Sequence, residues 1–485
     1  MTQLRERPPA RTYGGWHHTR SAGLFGLSFA ATLVAFALAG LVILVLIISR
    51  PAGIAIGAVS LAVLIPLAIR VNGRTGAQII AARAAWIAGR RARRHLYRSG
   101  LASPYTTSHR LPGILAASKL LAVPDGVGGR LGVVAIGSSR HYTVVFAAQS
   151  EGVDLVDQDA IDQRVARWGA YLASLSREAD LAQAQVVIET APDRGDRLAA
   201  EIATTTVPGA PQMAKEVLDE VVAAYPAGSA TTTYYVALTF KIGRGDDEAV
   251  ALELAKKVPQ LREGLEGTGA VGIRAAGPDE LVRAVASAYQ PARADDIAAA
   301  GADLLDWANA GPAEHEQTWN TYHHDSGSSR TWNLVEAPRS AVVETVFARL
   351  AAADPELLFK RVSLLYRPLS PVEAANAVER DRRDARFHAT QGRGGVPSAR
   401  AQRAIEAADQ AAEEEARGAG VTRFSVLATI TVPRGANLDA PARNLVAAAG
   451  EARLLLREAA GAQATAFAAN LPVGLVLPVH ATLPS

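Results

Sequence analysis

The sequence contains no cysteine. That excludes a disulfide scaffold, thiolate zinc sites, iron–sulfur clusters and any cysteine nucleophile, and fits either redox environment. It also lacks a GxxxxGK[ST] P-loop, a GxSxG elbow and an HExxH pair, the signatures of three large enzyme groups. Acidic residues are nearly absent from the first quarter: residues 1–124 hold 15 Lys and Arg against a single acid, Glu6. The whole chain has a net charge of only +3, so the remaining residues carry −11. The basic pI of about 9.1 therefore belongs to the N-terminal quarter and is no argument for nucleic-acid binding.

What is present in quantity is apolar. Hydrophobic residues make up 49% of the chain and charged residues 20%, with 41 Gly and 25 Pro, which excludes a wholly disordered chain, a collagen and a coiled coil. At 485 residues the chain is long enough for about three domains. Leu24–Ile48 is an uncharged run of 25 residues, and Pro51–Ile69 follows with 19 more after Ser49-Arg50. A helix of about 20 apolar residues crosses a hydrocarbon core, so the two runs predict an antiparallel transmembrane hairpin. Pro51 suits a first helical turn, and Pro66 lies near the far end. A secretory signal would have a shorter apolar region and no second span directly behind it.

Arginines flank the hairpin unevenly. Arg5, Arg7, Arg11 and Arg20 precede it, and Arg70, Arg74, Arg83, Arg90, Arg91, Arg93, Arg94 and Arg98 follow it, while its turn offers only Arg50. The positive-inside bias predicts a two-pass plasma (inner) membrane protein with both termini cytoplasmic. The eight downstream arginines form a basic collar, with Ile79, Ile80, Trp86 and Ile87 on a helix of residues 75–98 able to lie on anionic lipid. Trp16 and Trp86 suit the membrane interface.

From about residue 130, β-type and helical runs alternate. Arg130–Ile136 and His141–Phe146 predict a hairpin, Asp159–Arg177 a helix, Ala184–Thr190 a strand and Gln212–Ala224 a helix. Thr231–Lys241 predicts a strand, Asp246–Leu265 a helix, Val271–Ala275 a strand and Pro278–Ser287 a helix. A second round starts near residue 313. His315–His324 pairs with Arg330–Glu336, and Trp319 meets Trp332 across strands. Ser340–Ala353 is helical and Leu357–Tyr366 a strand. A charged helical hairpin covers about 371–389 and 398–417. Val421–Val432 is a strand, Ala440–Ala459 a helix and Gln463–Phe467 a last strand. The fold class is α+β: a two-helix transmembrane hairpin, then a cytoplasmic body of two ferredoxin-like, split β-α-β halves. The domains run 1–23 (basic tail), 24–69 (hairpin), 70–124 (basic juxtamembrane segment), 125–310 (first half) and 311–485 (second half, with the insertion 371–417).

Two motifs need weighing. Gly267-Thr268-Gly269-Ala270-Val271-Gly272 matches GxGxxG, but a helix precedes it and a strand follows. A dinucleotide site needs the reverse order, so Gly267 reads as a helix C-cap. His315, His323, His324 and Asp325 form the one cluster with metal-ligand character. A strand places His323 and His324 on opposite faces, which argues against a shared ion. No catalytic, cofactor-binding or metal residue is assigned, and no cofactor is expected.

The arrangement resembles two neighbouring parts of a type IV secretion or conjugation machine of actinobacterial kind. The first 100 residues resemble the two-span PrgI-type membrane subunit. Arg361–Arg367 (RVSLLYR) with Pro368, a charged helical insertion, Phe424–Val432 (FSVLATITV), a helix, and Phe467-Ala468-Ala469-Asn470-Leu471-Pro472 resemble the N-terminal domain of TraC-type assembly ATPases, without the motor. The EccE-type component of type VII secretion is a rival resemblance. The resemblance implies a non-enzymatic membrane component that docks a cytoplasmic P-loop ATPase in trans. Anionic lipid, other secretion-channel subunits and a second copy of itself would be its further partners, with no sequence-specific nucleic-acid binding. Phe424, Val426, Leu471 and Pro472 are the candidate partner surface, with the 371–417 arm. A membrane-tethered transferase is the enzymatic alternative.

Overall fold

The computed structural model describes residues 29–99, 110–126, 128–152, 156–178, 180–192, 196–207, 209–224, 230–299, 306–338, 342–390, 399–418 and 420–480. The described residues begin with α1 (Phe29–Ile48) and α2 (Arg50–Ala68), packed on each other, then β1 (Arg70–Val71), β2 (Arg74–Thr75), α3 (Gly76–Arg91) and β3 (Leu96–Arg98). A first half follows: β4 (Ser118–Pro124), β5 (Arg130–Ile136), β6 (His141–Ser150), α4 (Gln158–Leu175), β7 (Leu181–Pro192), α5 (Asp196–Thr205), α6 (Gln212–Ala224), β8 (Ala230–Lys241), α7 (Asp247–Glu263) and β9 (Ala270–Ala275). Helices α8 (Pro278–Tyr289) and α9 (Ala294–Ala299) lead to the second half. It contains β10 (Glu314–Gln317), β11 (Tyr322–His324), β12 (Gly327–Glu336), α10 (Ala348–Ala351), β13 (Phe359–Pro368), α11 (Pro371–Thr390) and α12 (Ala399–Ala416). It closes with β14 (Thr422–Pro433), α13 (Asp439–Glu451), β15 (Leu455–Glu458) and α14 (Gln463–Ala469).

All strands from β3 to β15 join one sheet of 13, ordered β3-β10-β11-β12-β14-β13-β7-β8-β6-β5-β4, with β15 on β12 and β9 on β6. The two halves have the same strand order. In the first, β9-β6-β8-β7 carries the β-α-β-β-α-β connectivity of a ferredoxin-like sheet, extended by the β5–β4 hairpin. In the second, β15-β12-β14-β13 does the same, extended by β11 and β10. Each half inserts a helical pair at the same place, α5–α6 or α11–α12. Each first strand also carries a register irregularity against its last one, at Ala147/Gln149 and at Leu334/Glu336. Even side chains correspond: Thr143 meets Thr239 at 3.0 Å between β6 and β8, and Thr331 meets Thr429 at 2.9 Å between β12 and β14.

The halves share a sheet because β7 and β13 pair antiparallel, from Lys360 opposite Thr190 to Tyr366 opposite Ala184. One face of the sheet is covered half by half. Tyr171 and Leu175 of α4 and Leu254 and Leu261 of α7 pack on Val144, Phe146 and Leu238, and α10 with Leu445 and Ala449 of α13 packs on Trp332, Val426 and Ile430. The other face holds one apolar cluster spanning both halves. Leu281 of α8 lies at Gly132 of β5, while Tyr289 at its end meets Tyr322 and His324 of β11. A helix of 12 residues is only about 18 Å long, so the sheet must curl around this face.

Several expectations change. The boundary at 124/125 cuts the β4–β5 hairpin, and β3 is an edge strand of the body, so residues 70–124 are not a separate segment. His315–His324 is two short strands, because the chain turns at residues 318–321, where the Thr321 N–H and carbonyl both bond Thr318. Trp319 therefore sits in that turn and does not meet Trp332, which is core on the opposite face. Among the described residues of the helix expected over Ser340–Ala353, helix is confined to a 3₁₀ turn at Glu344–Phe347 and α10. The helix expected over Ala440–Ala459 stops at Glu451, since Arg453 takes a left-handed φ of 58°, and β15 follows. Gln463–Phe467 is helical, not a strand, because Gln463 turns back to bond the Thr331 backbone from outside the sheet.

Candidate functional site: the hairpin end of the sheet

Helix α2 is long and apolar enough to cross a membrane, with a hydropathy of 2.1. Helix α1 is apolar over the shorter stretch Thr32–Ile48. The two approach closely at Gly53, where a Cβ would lie 2.6 Å from Leu46 Cγ. Behind α2 the chain makes a two-residue hairpin. Val71 pairs with Arg74, and Asn72 and Gly73 both have positive φ, 48° and 75°. That is the conformation a type I′ turn requires and Asn-Gly supplies. Thr75 then caps α3: its hydroxyl accepts from Gln78 N at 3.2 Å, and Gln78 Oε1 accepts from Thr75 N at 3.0 Å.

This hairpin is a foot seated on the second half of the body. Arg457 of β15 donates to the Asn72 carbonyl at 2.7 Å, and Gly73 lies against Val335 of β12 so closely that a Cβ there would collide with it. Burial, with Arg74 nearby, lowers the Arg457 pKa to about 10. Helix α3 is tied down by Arg83, whose guanidinium stacks 3.8 Å from the Trp319 ring centroid, and by Trp86, edge-on to Trp319 at 5.9 Å. Strand β3 closes the attachment by pairing Leu96 with Glu316. Trp86, half-buried, packs on Trp319 of the body; Trp16 lies outside the described residues.

Of the collar, Arg83, Arg90, Arg91, Arg93, Arg94 and Arg98 are exposed and Arg74 is half-buried. Arg70 belongs to the foot strand β1. The foot was legible in the letters: Asn72-Gly73 is the strongest short hairpin signal, and Thr75-x-x-Gln78 a capping box.

The proposed partner surface fares differently. Val426, Leu471 and Pro472 are buried, and Phe424 is half-buried, packed on Tyr366 with ring centroids 5.5 Å apart. Asn470-Leu471-Pro472 closes the molecule from within. Asn470 Nδ2 donates to the Arg361 carbonyl at 2.9 Å and to Thr429 Oγ1 at 2.7 Å. Gln185 Nε2 reaches the Ala469 carbonyl at 3.0 Å and Ser363 Oγ at 3.0 Å, and Gln183 Nε2 the Leu475 carbonyl at 3.1 Å. These side chains stand on both halves, so the segment stitches the β7–β13 seam and leaves no outer surface at Val426, Leu471 or Pro472.

The remaining motifs have structural explanations. Gly267 and Gly269, at φ 74° and 93°, seat the side chains of Arg167 and Arg164 from α4. The turn, with Gln163 and Glu151, borders a cavity of about 240 Å³. His324 is fully buried. Its Nδ1 donates to the Tyr289 carbonyl at 2.7 Å, which leaves Nε2 to accept from Ser329 Oγ at 2.8 Å. Burial lowers its pKa to about 3. His315 is opposite it on β10, bonded to Tyr322 and likewise lowered by burial to about 4, while His323 bonds Ser328. Among the described residues no group of three or more potential ligands is placed to hold a metal ion.

Residues 20–78, which include the apolar pair and the foot, match the family described as "Domain of unknown function (DUF8461)". No curated protein matches the chain.

Proposed function

We propose that this chain is a two-pass, non-enzymatic component of the inner membrane in a secretion or conjugation apparatus, and that it holds a cytoplasmic P-loop ATPase at the membrane. The observation that carries this reading is the foot. An apolar helix pair is joined to the body through a six-residue hairpin fixed by Arg457 and Val335, with the following helix α3 held on Trp319, rather than through a loose linker. Such a joint sets the height and orientation of the body relative to the bilayer. A tethered body raises the effective concentration of whatever it binds there. The uneven arginines around the helix pair support cytoplasmic termini. With Val426, Leu471 and Pro472 buried, the ATPase would engage outward-facing elements of the body.

The test has two parts. A reporter fused after residue 485 should be active only in a cytoplasmic assay, while one placed between α1 and α2 should be active only outside. The full chain, purified from its native host, should co-purify a P-loop ATPase at fixed stoichiometry. A cytoplasmic signal from the α1–α2 turn would remove the two-pass topology, and absence of any ATPase would remove the docking role.

A further inference from the structure

Helix α3 starts against the last turn of α2. The Gly76 N–H donates to the Ile69 carbonyl at 2.9 Å, and a Cβ on Gly76 would lie 2.9 Å from the Pro66 carbonyl oxygen. Its 16 residues give a length of about 24 Å. One side of it belongs to the body: Trp86 packs on Trp319, Arg83 lies over the same ring, and Ile79 is half-buried. The other side is open. Ile80 is 59% exposed and Ile87 49%.

Ile80 and Ile87 are about two helical turns apart, so they share one side of α3. Arg83 and Arg90 edge this pair on one flank and Arg91 on the other, while Arg93 and Arg94 continue past the helix end. Arg90, Arg91, Arg93 and Arg94 are exposed and form no ion pair among the described residues. No acid occurs between Glu6 and Asp125, so α3 and its flanks carry charge of one sign only. The sequence pattern offered Ile79, Ile80, Trp86 and Ile87 alike to lipid; the body takes up Ile79 and Trp86 and leaves Ile80 and Ile87. An open apolar pair edged by arginines, on a helix that begins where an apolar span ends, has the chemistry of a helix lying in an anionic headgroup layer. A second copy of α3 would instead set like charges against each other.

We propose that α3 is an interfacial helix clamped between bilayer and body: Ile80 and Ile87 enter the headgroup boundary of the leaflet next to the end of α2, and Arg90, Arg91, Arg93 and Arg94 bind anionic phospholipid headgroups there. This rests on the two-pass reading. Arg83 and Trp86 hold the opposite side on Trp319, so the charge of the leaflet acts on the body through a helix that is fixed to it.

The cysteine-free chain allows single-site labelling. Full-length Ile80→Cys carries an environment-sensitive dye and is placed, one copy per disc, in nanodiscs of phosphatidylcholine alone or with phosphatidylglycerol. The control is Met213→Cys on α6, 77% exposed. Its helices leave β7 at Pro192, beyond the Lys360 end of β13 and away from the foot. The expected result is a blue shift at residue 80 with phosphatidylglycerol, reversed by high salt, and none at residue 213. Adding Arg90→Gln and Arg91→Gln should lower the ratio of lipid-seated to free α3 about 30-fold, since each basic residue near an anionic surface contributes roughly fivefold. Equal emission in the two lipids, or no effect of the two substitutions, overturns the proposal. A shift that needs an added P-loop ATPase also overturns it and makes this face a protein dock. Insertion is read separately in inverted vesicles of the host membrane, where an impermeant maleimide should label Met213→Cys at once and Ser49→Cys only after permeabilisation. If that pattern fails, the two-pass reading falls; if it holds while residue 80 gives no lipid-dependent shift, only the interfacial helix does.

Discussion

Thr239 Oγ1 donates to the Gly474 carbonyl at 2.9 Å, and a side chain at Gly474 would overlap the hydroxyls of both Thr239 and Thr143. Thr239 has one proton, so Thr143 must donate in turn to Thr239, 3.0 Å away. Gly474 also has a φ of 67°, which only glycine adopts at little cost. The turn at Gly474 is therefore held by a bond whose geometry forbids any side chain.

Gly474→Ala should destabilise the body by more than about 2 kcal/mol, because left-handed strain and steric overlap act together. Gly435→Ala is the control. Its φ is 90°, yet nothing lies within 4 Å of its Cβ position, so only the backbone penalty of about 1 kcal/mol applies. Urea unfolding of the full chain in detergent measures both, and equal losses would show that the Thr143–Thr239 contact is irrelevant.

A second prediction concerns the seam. Arg361 is 1% exposed and pairs with Glu189 through Nε at 2.7 Å and through Nη2, directly across β7 and β13. Arg361→Met leaves Glu189 with an uncompensated, largely buried charge and should cost about 3–5 kcal/mol. Adding Glu189→Leu should recover most of that loss, since an apolar pair can replace a buried ion pair at little net cost. A double-mutant cycle by urea unfolding reads the coupling. No recovery in the double variant would mean that Arg361 acts by packing on Phe467, 6.0 Å away, rather than by charge.

How far the letters foretold this architecture depended on the kind of constraint. The long strands β7, β8, β13 and β14 and the arm α11–α12 were readable because periodicity and turn residues agreed. Residues 463–467 were not, since a short apolar run fits a buried helix as well as a strand and the decision lies with the remote Thr331 backbone. The break before β15 was invisible because a non-glycine residue, Arg453, takes the left-handed turn. The Phe467–Pro472 pattern was visible, but its burial was not: Gln185 becomes a partner for its Ala469 and Leu471 carbonyls only once the two halves share a sheet. The foot could have been read, as Asn-Gly and the capping box stood in plain sequence.

The buried histidines predict an acid-sensitive body. Burial lowers the pKa of His324 to about 3 and those of His141 and His315 to about 4, against 6.5 in an unfolded chain. Below 6.5 the unfolded state binds protons that the folded state refuses, so stability rises with pH across this window. It is fully present above about pH 6.5 and declines as pH falls from 6.5 toward 4. Unfolding midpoints in urea at pH 7.5, 6, 5 and 4.5 should decrease steadily, starting well above the carboxylate range, where ~4 is the usual midpoint. A flat profile down to pH 5 would mean that these rings accept protons in the folded protein.

The foot yields the last prediction. Its rigidity depends on the Arg457 bond to the Asn72 carbonyl and on the bare Cα of Gly73 against Val335. Gly73→Val should displace the turn, since it adds a collision to a φ of 75° that β-branched residues avoid. Arg457→Met keeps most of the aliphatic stem and removes only the guanidinium, so it should weaken the joint with less than about 2 kcal/mol lost from the body. Spin labels on cysteines introduced at exposed Ile69 and exposed Val446 of α13 should give a narrow distance distribution in the parent chain and a broad one in either variant. If the distribution stays narrow in Gly73→Val, Arg83 and Trp86 on Trp319 with β3 on β10 suffice to hold the body, and the hairpin is only a passive turn. If both variants broaden it while α2 remains inserted, the six residues from Arg70 to Thr75 set the geometry between membrane and body.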